Sequence, residues 1–176
     1  EEAYRAAASE LFGDRAEEFL SFREAWEMHG EGNYAPVSGI ECTVKTLFEQ
    51  VRETGGAQNC YYYRFAPDIP GWDNPGTFHS VDLWFFFETL AKCWRPFVGR
   101  HYDLARQMCN YFCNFIRSGD PNGADADGSA MPEWKPYRRE EGAEMVFTSA
   151  GAVPGGSPEK GFRRFLMESI KKKTLG

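Results

Sequence analysis

Nothing in the 176 residues approaches the roughly 18 consecutive apolar positions that a membrane-spanning helix requires. The densest run, Leu83-Trp84-Phe85-Phe86-Phe87, is far shorter, so no membrane partner is expected. Positive charge is also in deficit: 20 Lys and Arg stand against 26 Asp and Glu, a net charge of −6, which argues against a nucleic-acid partner. The cysteines number five and include no C-x-x-C, so neither a disulfide framework nor a zinc site is indicated. Only three histidines are present (His29, His79 and His101), with no metal-ligand spacing among them. There is no glycine-rich phosphate loop and no dinucleotide fingerprint. A G-x-S-x-G nucleophile elbow is missing too. Around Ser149 the first glycine is replaced by Phe147, and around Ser157 the second is replaced by Glu159.

Aromatic residues are what the chain has in plenty, at 16%, and so much ring surface calls for a large core, a pocket or a partner. Hydrophobic and charged fractions of 42% and 26% are those of a globular chain. The first third reads as helices. Glu1 to Arg5 looks like a helix already under way, and Asp14-Arg15-Ala16-Glu17 reads as a capping box opening a helix to about Met28. After breaks at Gly30, Gly32 and Pro36, Ser38-Gly39-Ile40-Glu41 reads as a second capping box, with Val37 stapled on Cys42. Ile40, Val44, Leu47, Phe48 and Val51 then share one helical face, ended by Gly55-Gly56. His101 to Arg117 predicts a long helix with Leu104, Met108, Tyr111, Phe112 and Phe115 on one stripe, stopped by the turn residues 118–123. The tail predicts a short strand at Met145-Val146-Phe147, a Gly/Pro-rich turn, and a last helix capped by Ser157 and Pro158. Asp120, Asn122, Asp125 and Asp127 read as turn chemistry rather than a calcium loop, because Gly123 and Trp134 occupy ligand positions.

Cys60 to Phe65 predicts an internal strand, apolar on both faces except at Arg64. An internal strand needs neighbours on both edges, since each buried backbone group left unpaired costs roughly 1–3 kcal/mol. The sequence offers too few strands for that, so the chain reads as a fragment of a larger sheet.

His79 is the residue to single out. It lies in a long loop beyond the carboxyl end of that strand, where open α/β sheets hold their ligands. An imidazole there can serve as general base, or can simply be a loop histidine bonded to backbone. His29 suits a helix end, and His101 reads as solvated beside Arg100 and Asp103. A cysteine nucleophile is a weaker alternative, with Cys93 between Lys92 and Arg95. The cationic last helix reads as an ordinary packed amphipathic element.

In order along the chain, several segments resemble the C-terminal part of the type-B carboxylesterases, the group that includes para-nitrobenzyl esterases and cholinesterases. Tyr61 to Phe65 resembles their final core strand, and Gly76-Thr77-Phe78-His79-Ser80-Val81-Asp82 with the following run resembles their histidine loop. Asn110 to Phe115 with Gly119-Asp120-Pro121-Asn122-Gly123 is similar to their last long helix and its turn. Pro132 to Tyr137 with Met145-Val146-Phe147 is similar to their tryptophan segment and next strand, and Tyr4 to Leu20 to the region after their catalytic acid. Asp82 stands where many members have Glu, and Lys135 replaces a proline.

The resemblance implies an α/β class: residues 1–176 as the C-terminal segment of a single α/β-hydrolase domain, mostly helical, with one central strand and one or two short ones. It implies carboxylic ester hydrolysis by a serine-hydrolase mechanism with His79 as the triad base and no metal or organic cofactor. The serine and glutamate would lie in the N-terminal portion of the same hydrolase, the chain's expected partner, and this chain alone would be inactive. Trp72, Phe78, Trp84 and Phe85 are the candidates for lining the pocket of a small ester substrate, although core packing serves each of them equally well. The rival reading is a non-catalytic cholinesterase-like interaction module.

Overall fold

The computed structural model describes residues 1–30, 40–56 and 59–175, and the chain packs as two compact units, residues 1–58 with 158–176 and residues 59–157. Gly32, Pro36, Val37 and the Ser38-Gly39 cap lie outside the described residues.

In the first unit, α1 (Glu2–Phe12) buries Tyr4 and Ala8, one turn apart, and the Tyr4 hydroxyl donates to the Ala25 carbonyl at 2.7 Å. The helix expected from Asp14 to Met28 is instead a short 3-10 turn at Gly13–Arg15 followed by two pieces, α2 (Ala16–Leu20) and α3 (Arg23–Gly30). Asp14 makes no capping bond. The break at residues 21–22 has local causes. The Ser21 hydroxyl takes the Glu18 carbonyl at 2.7 Å, and the Trp26 indole N–H takes that of Leu20 at 2.7 Å. Phe22 is then free to pack on Phe162 and Phe165.

Helix α4 (Ile40–Glu53) forms where its periodicity predicts, but it buries the opposite face. Cys42, Lys45, Thr46 and Glu49 are inside, whereas Ile40 is 84% and Leu47 53% exposed. Ion pairing decides the orientation. Lys45 Nζ donates to Glu159 Oε1 at 2.6 Å and to Glu41 Oε1 at 2.7 Å, and Arg163 pairs with both carboxylates. Burying such charges is tolerable only when each is partnered. At the end of α4, Gly55 adopts φ +74° and the Gly56 N–H returns to the Val51 carbonyl, the left-handed cap foreseen. The last helix, α7 (Gly161–Leu175), begins later than Ser157 because Glu159 is turned inward to meet Lys45.

The second unit holds a three-stranded sheet in the order β1-β2-β3, made by β1 (Tyr63–Phe65), β2 (Ala143–Thr148) and β3 (Gly151–Gly156). Strand β1 runs parallel to β2, with Arg64 opposite Val146, and β2–β3 is an antiparallel hairpin. A parallel pair needs a long crossover. Residues 66–142 provide it, carrying α5 (Asp82–Phe86) and α6 (Gly99–Ser118). Two expectations change here. The strand at Cys60 is half as long as predicted: Tyr62 opens the ladder by giving its carbonyl to the Met145 N–H and to the Trp134 indole N–H, whereas the Cys60 carbonyl takes the Tyr137 N–H outside it. Residues 151–156, read as a turn, are a strand; Pro154 fits because β3 is at an edge.

Among the described residues β1 pairs on one side only, so its other edge is open. Tyr61, Tyr63 and Phe65 lean on the core, and Arg64 is solvent-exposed, tied to Glu144 at 3.1 Å. At the centre of that core, Phe147 meets Tyr63, Phe86, Tyr111 and Trp134 at ring separations of 5.6 to 6.1 Å. Burying each such ring contributes up to roughly 1.5–3 kcal/mol. Helix α6 delivers Leu104, Met108 and Tyr111 to this core and stops at Gly119, φ +76°. Asn122 then clamps Trp134, donating to its carbonyl at 2.9 Å and accepting its N–H at 2.7 Å.

Candidate active site

Residues 66–81 leave β1 at its carboxyl end and return as α5. The first contacts keep the loop on the sheet: the Ala66 N–H donates to the Phe147 carbonyl at 2.8 Å and the Asp68 N–H to Ser149 Oγ at 2.8 Å. The Thr77 hydroxyl closes the loop on the Pro67 carbonyl at 3.2 Å. His79 sits exposed at the turn just before α5. It follows Gly76, φ +60°, and precedes Ser80, φ +65°, a left-handed conformation that non-glycine residues adopt at a cost of roughly 1–2 kcal/mol. Backbone strain of this kind is concentrated at functional loops.

The walls are aromatic. Phe78 meets Trp84 edge-on at 5.8 Å, and Trp84 meets Phe97 at 6.4 Å. Trp84 also lines a 280 Å³ hollow with Thr89, Lys92, Cys93 and Trp94. Trp72, 90% exposed, lies 6.4 Å from Trp94. Phe85 is fully buried, edge-on to Phe65 at 5.0 Å and to Phe97 at 5.7 Å, so it faces the core.

Arg95 organises this loop, and sequence reasoning passed over it. Its guanidinium grips Asp73 through two 2.9 Å bonds, donates to the Pro70 carbonyl at 3.1 Å, and stacks over the rings of Trp94 (4.6 Å) and Phe78 (5.3 Å). A planar fork of donors suits such a role better than an ammonium group. The hydrogen bonds from Arg95 hold the Asp73 carboxyl below the ordinary carboxylate range. The only signal in sequence was a lone cation in the aromatic segment Trp94-Arg95-Pro96-Phe97.

Behind the loop, Asp82 opens α5 and accepts a short 2.6 Å bond from the Tyr63 hydroxyl. Burial first, and then this carboxylate, push the Tyr63 hydroxyl far above its ordinary pKa. One residue of β1 is thus fastened to the helix that begins three positions after His79. His101, read from sequence as solvated, is buried. Its Nδ1 accepts the Val98 N–H at 2.9 Å, capping the start of α6 as a glutamate would, and Nε2 carries the proton in that arrangement. Burial, reinforced by the charge of Arg100, lowers its pKa. Among the described residues no group of three His, Cys, Asp or Glu side chains could hold a metal ion.

A sequence model of the carboxylesterase family matches residues 37–159, well over half of the chain. The chain belongs to the carboxylesterase family. The acetylcholinesterase of Gallus gallus is 25% identical over 99 residues, which make up 56% of this carboxylesterase-family chain and 12% of that protein. Among solved structures, the crystal structure of a Geobacillus stearothermophilus carboxylesterase at pH 6.2 is similar, with 21% identity and a TM-score of 0.49 over 92% of this chain and 38% of that one. The chain therefore spans only a minor part of the length of either relative.

Proposed function

We propose that this family member takes part in hydrolysing carboxylic esters by a serine-hydrolase mechanism, with His79 as the general base. Family membership supports ester hydrolysis in general. The observation that carries the assignment to His79 is its position: an exposed imidazole, flanked by left-handed backbone, on the loop leaving the carboxyl end of a parallel strand. In the proposed cycle His79 takes the proton of a serine hydroxyl as the oxygen attacks the ester carbonyl. It passes that proton to the leaving alcohol and then activates water in the same way. An acidic partner on the other ring nitrogen would fix the tautomer. The chemistry calls for no metal or organic cofactor.

In this reading residues 1–176 are the C-terminal segment of one α/β-hydrolase domain of the type-B group. The serine, the acid and the oxyanion donors come from an N-terminal portion of the same hydrolase. Two features support a complementary portion: the open edge of β1 and the exposed apolar stripe of α4. Trp72, Phe78 and Trp84 are proposed to face a small ester substrate, with Phe85 backing them from the core. The test is hydrolysis of a para-nitrophenyl ester by the chain alone, by the chain with the upstream portion, and by the same assembly carrying His79→Ala. The chain alone is expected to be inactive and the assembly active. The substitution should lower kcat/KM by on the order of 10⁴-fold or more. Full activity in the alanine variant ends the assignment, and an assembly that folds without turnover points to a binding module instead.

A further inference from the structure

Two thiols on α6, Cys109 and Cys113, have no part in the ester chemistry. They are one helical turn apart, both free and half-buried, with their sulfurs 4.0 Å from each other. That spacing is ambiguous between a disulfide in waiting and a chelating pair, and helix geometry separates the two. Side chains four apart on a helix have Cβ atoms about 5–6 Å apart. A disulfide needs roughly 3.5–4.5 Å, so α6 would have to unwind to form one. By contrast, two bonds of about 2.3 Å from sulfur to one centre, at the roughly 95–100° angle of a pyramidal arsenic(III), hold the sulfurs about 3.4 Å apart, a closure that side-chain rotation supplies without unwinding α6. With no group of three ligating side chains among the described residues, the centre that fits is one satisfied by two sulfurs.

The surroundings narrow the class further. Phe112 and Ile116 occupy the helix positions adjoining the thiols, 38% and 67% exposed, and Phe112 meets the exposed Phe87 at 6.2 Å. We propose that Cys109 and Cys113 form a chelating dithiol site for trivalent aryl-arsenicals, ArAs(OH)2, whose ring lies against Phe112 and Ile116. The exchange balances without any oxidant. Two As–O bonds and two S–H bonds break, two As–S bonds form, two waters leave, and arsenic stays trivalent. Burial, with help from Cys113 and Glu88, pushes the Cys109 thiol up to about 11.

The probe is phenylarsine oxide, which hydrates to the phenyl member of this class, with intact-mass spectrometry and peptide mapping as readouts. One adduct per chain is expected, bridging Cys109 and Cys113. It should survive excess glutathione and be removed by 2,3-dimercaptopropanol. Cys109→Ser and Cys113→Ser should each lose the glutathione-resistant adduct, whereas Cys60→Ser keeps it. A resistant adduct in either of the first two variants, no adduct in the native protein, or an adduct mapped elsewhere overturns the site. A Cys109–Cys113 disulfide formed by diamide in the folded protein overturns the geometric reasoning behind it.

Discussion

Replacing Tyr63 by Phe removes one oxygen and leaves every ring contact of that side chain in place. The lost bond is short, 2.6 Å, and its acceptor is the Asp82 carboxylate. Hydrogen bonds to charged groups contribute about 1.5–3 kcal/mol. Both partners are half-buried, so water can replace the hydroxyl at Asp82 and the loss belongs near the lower bound, about 1.5 kcal/mol. Equilibrium unfolding in urea should therefore show a lower midpoint with an unchanged slope, because no extra surface is exposed. Asp82→Asn retains an acceptor without the charge and should cost roughly half as much. A double-mutant cycle isolates the bond: Tyr63→Phe and Asp82→Ala together should be less harmful than the sum of the two by about 1 kcal/mol. Additive losses, or a Tyr63→Phe effect under about 0.5 kcal/mol, would refute the claim that this bond fastens β1 to α5.

Asp125 accepts from Arg106, from Asn110 at 2.5 Å and from the Ala126 N–H at 2.7 Å. Asp125→Ala should lower stability by about 2–3 kcal/mol in the same unfolding assay, since Arg106 is only partly buried and recovers some solvation. His101 gives the pH dependence. Its folded pKa is depressed, so the folded state favours the neutral ring. The stability this provides is complete above the unfolded value near about 6.5 and is lost as pH falls from there through the lower folded value. Thermal melts in that window should drop for the native chain and stay flatter for His101→Gln; parallel pH profiles would contradict the assignment.

Much of this architecture was legible because the signals were local. The 3.6 period wrote α6 into Leu104, Met108 and Tyr111, and a single glycine ended it at Gly119. The loop carrying His79 could be placed because turn residues and an aromatic strand bracket it. Part of what escaped reading depends on partners distant in sequence. Helix α4 shows an apolar stripe to any periodicity argument, yet the residue that orients it is Glu159, 114 positions from Lys45. The helix expected from Asp14 is cut at residues 21–22 by local hydrogen bonds from Ser21 and Trp26, and the strand at Gly151 was hidden because Gly and Pro encode turns as readily as edges. Arg95 was missed for the same reason: its role exists only once Asp73, Phe78 and Trp94 are brought around it.

The surfaces left uncovered bear on the proposed function. Phe112, Phe115 and Ile116 on α6 are exposed on a helix whose other face is buried. Tyr61, Tyr63, Phe86, Phe112 and Trp134 help to line an apolar hollow of 240 Å³. Scattered exposed hydrophobics need no explanation, but contiguous ones beside an open strand edge do. On the proposed reading His79 needs a nucleophile, as the open edge of β1 needs a neighbouring strand. The proposed complementary portion would meet both needs at once, because strands added at the β1 edge would lengthen the sheet whose carboxyl end carries His79. On that reading, a nucleophile presented at the carboxyl end of an added parallel strand would lie at the same end of the sheet as the loop that carries His79.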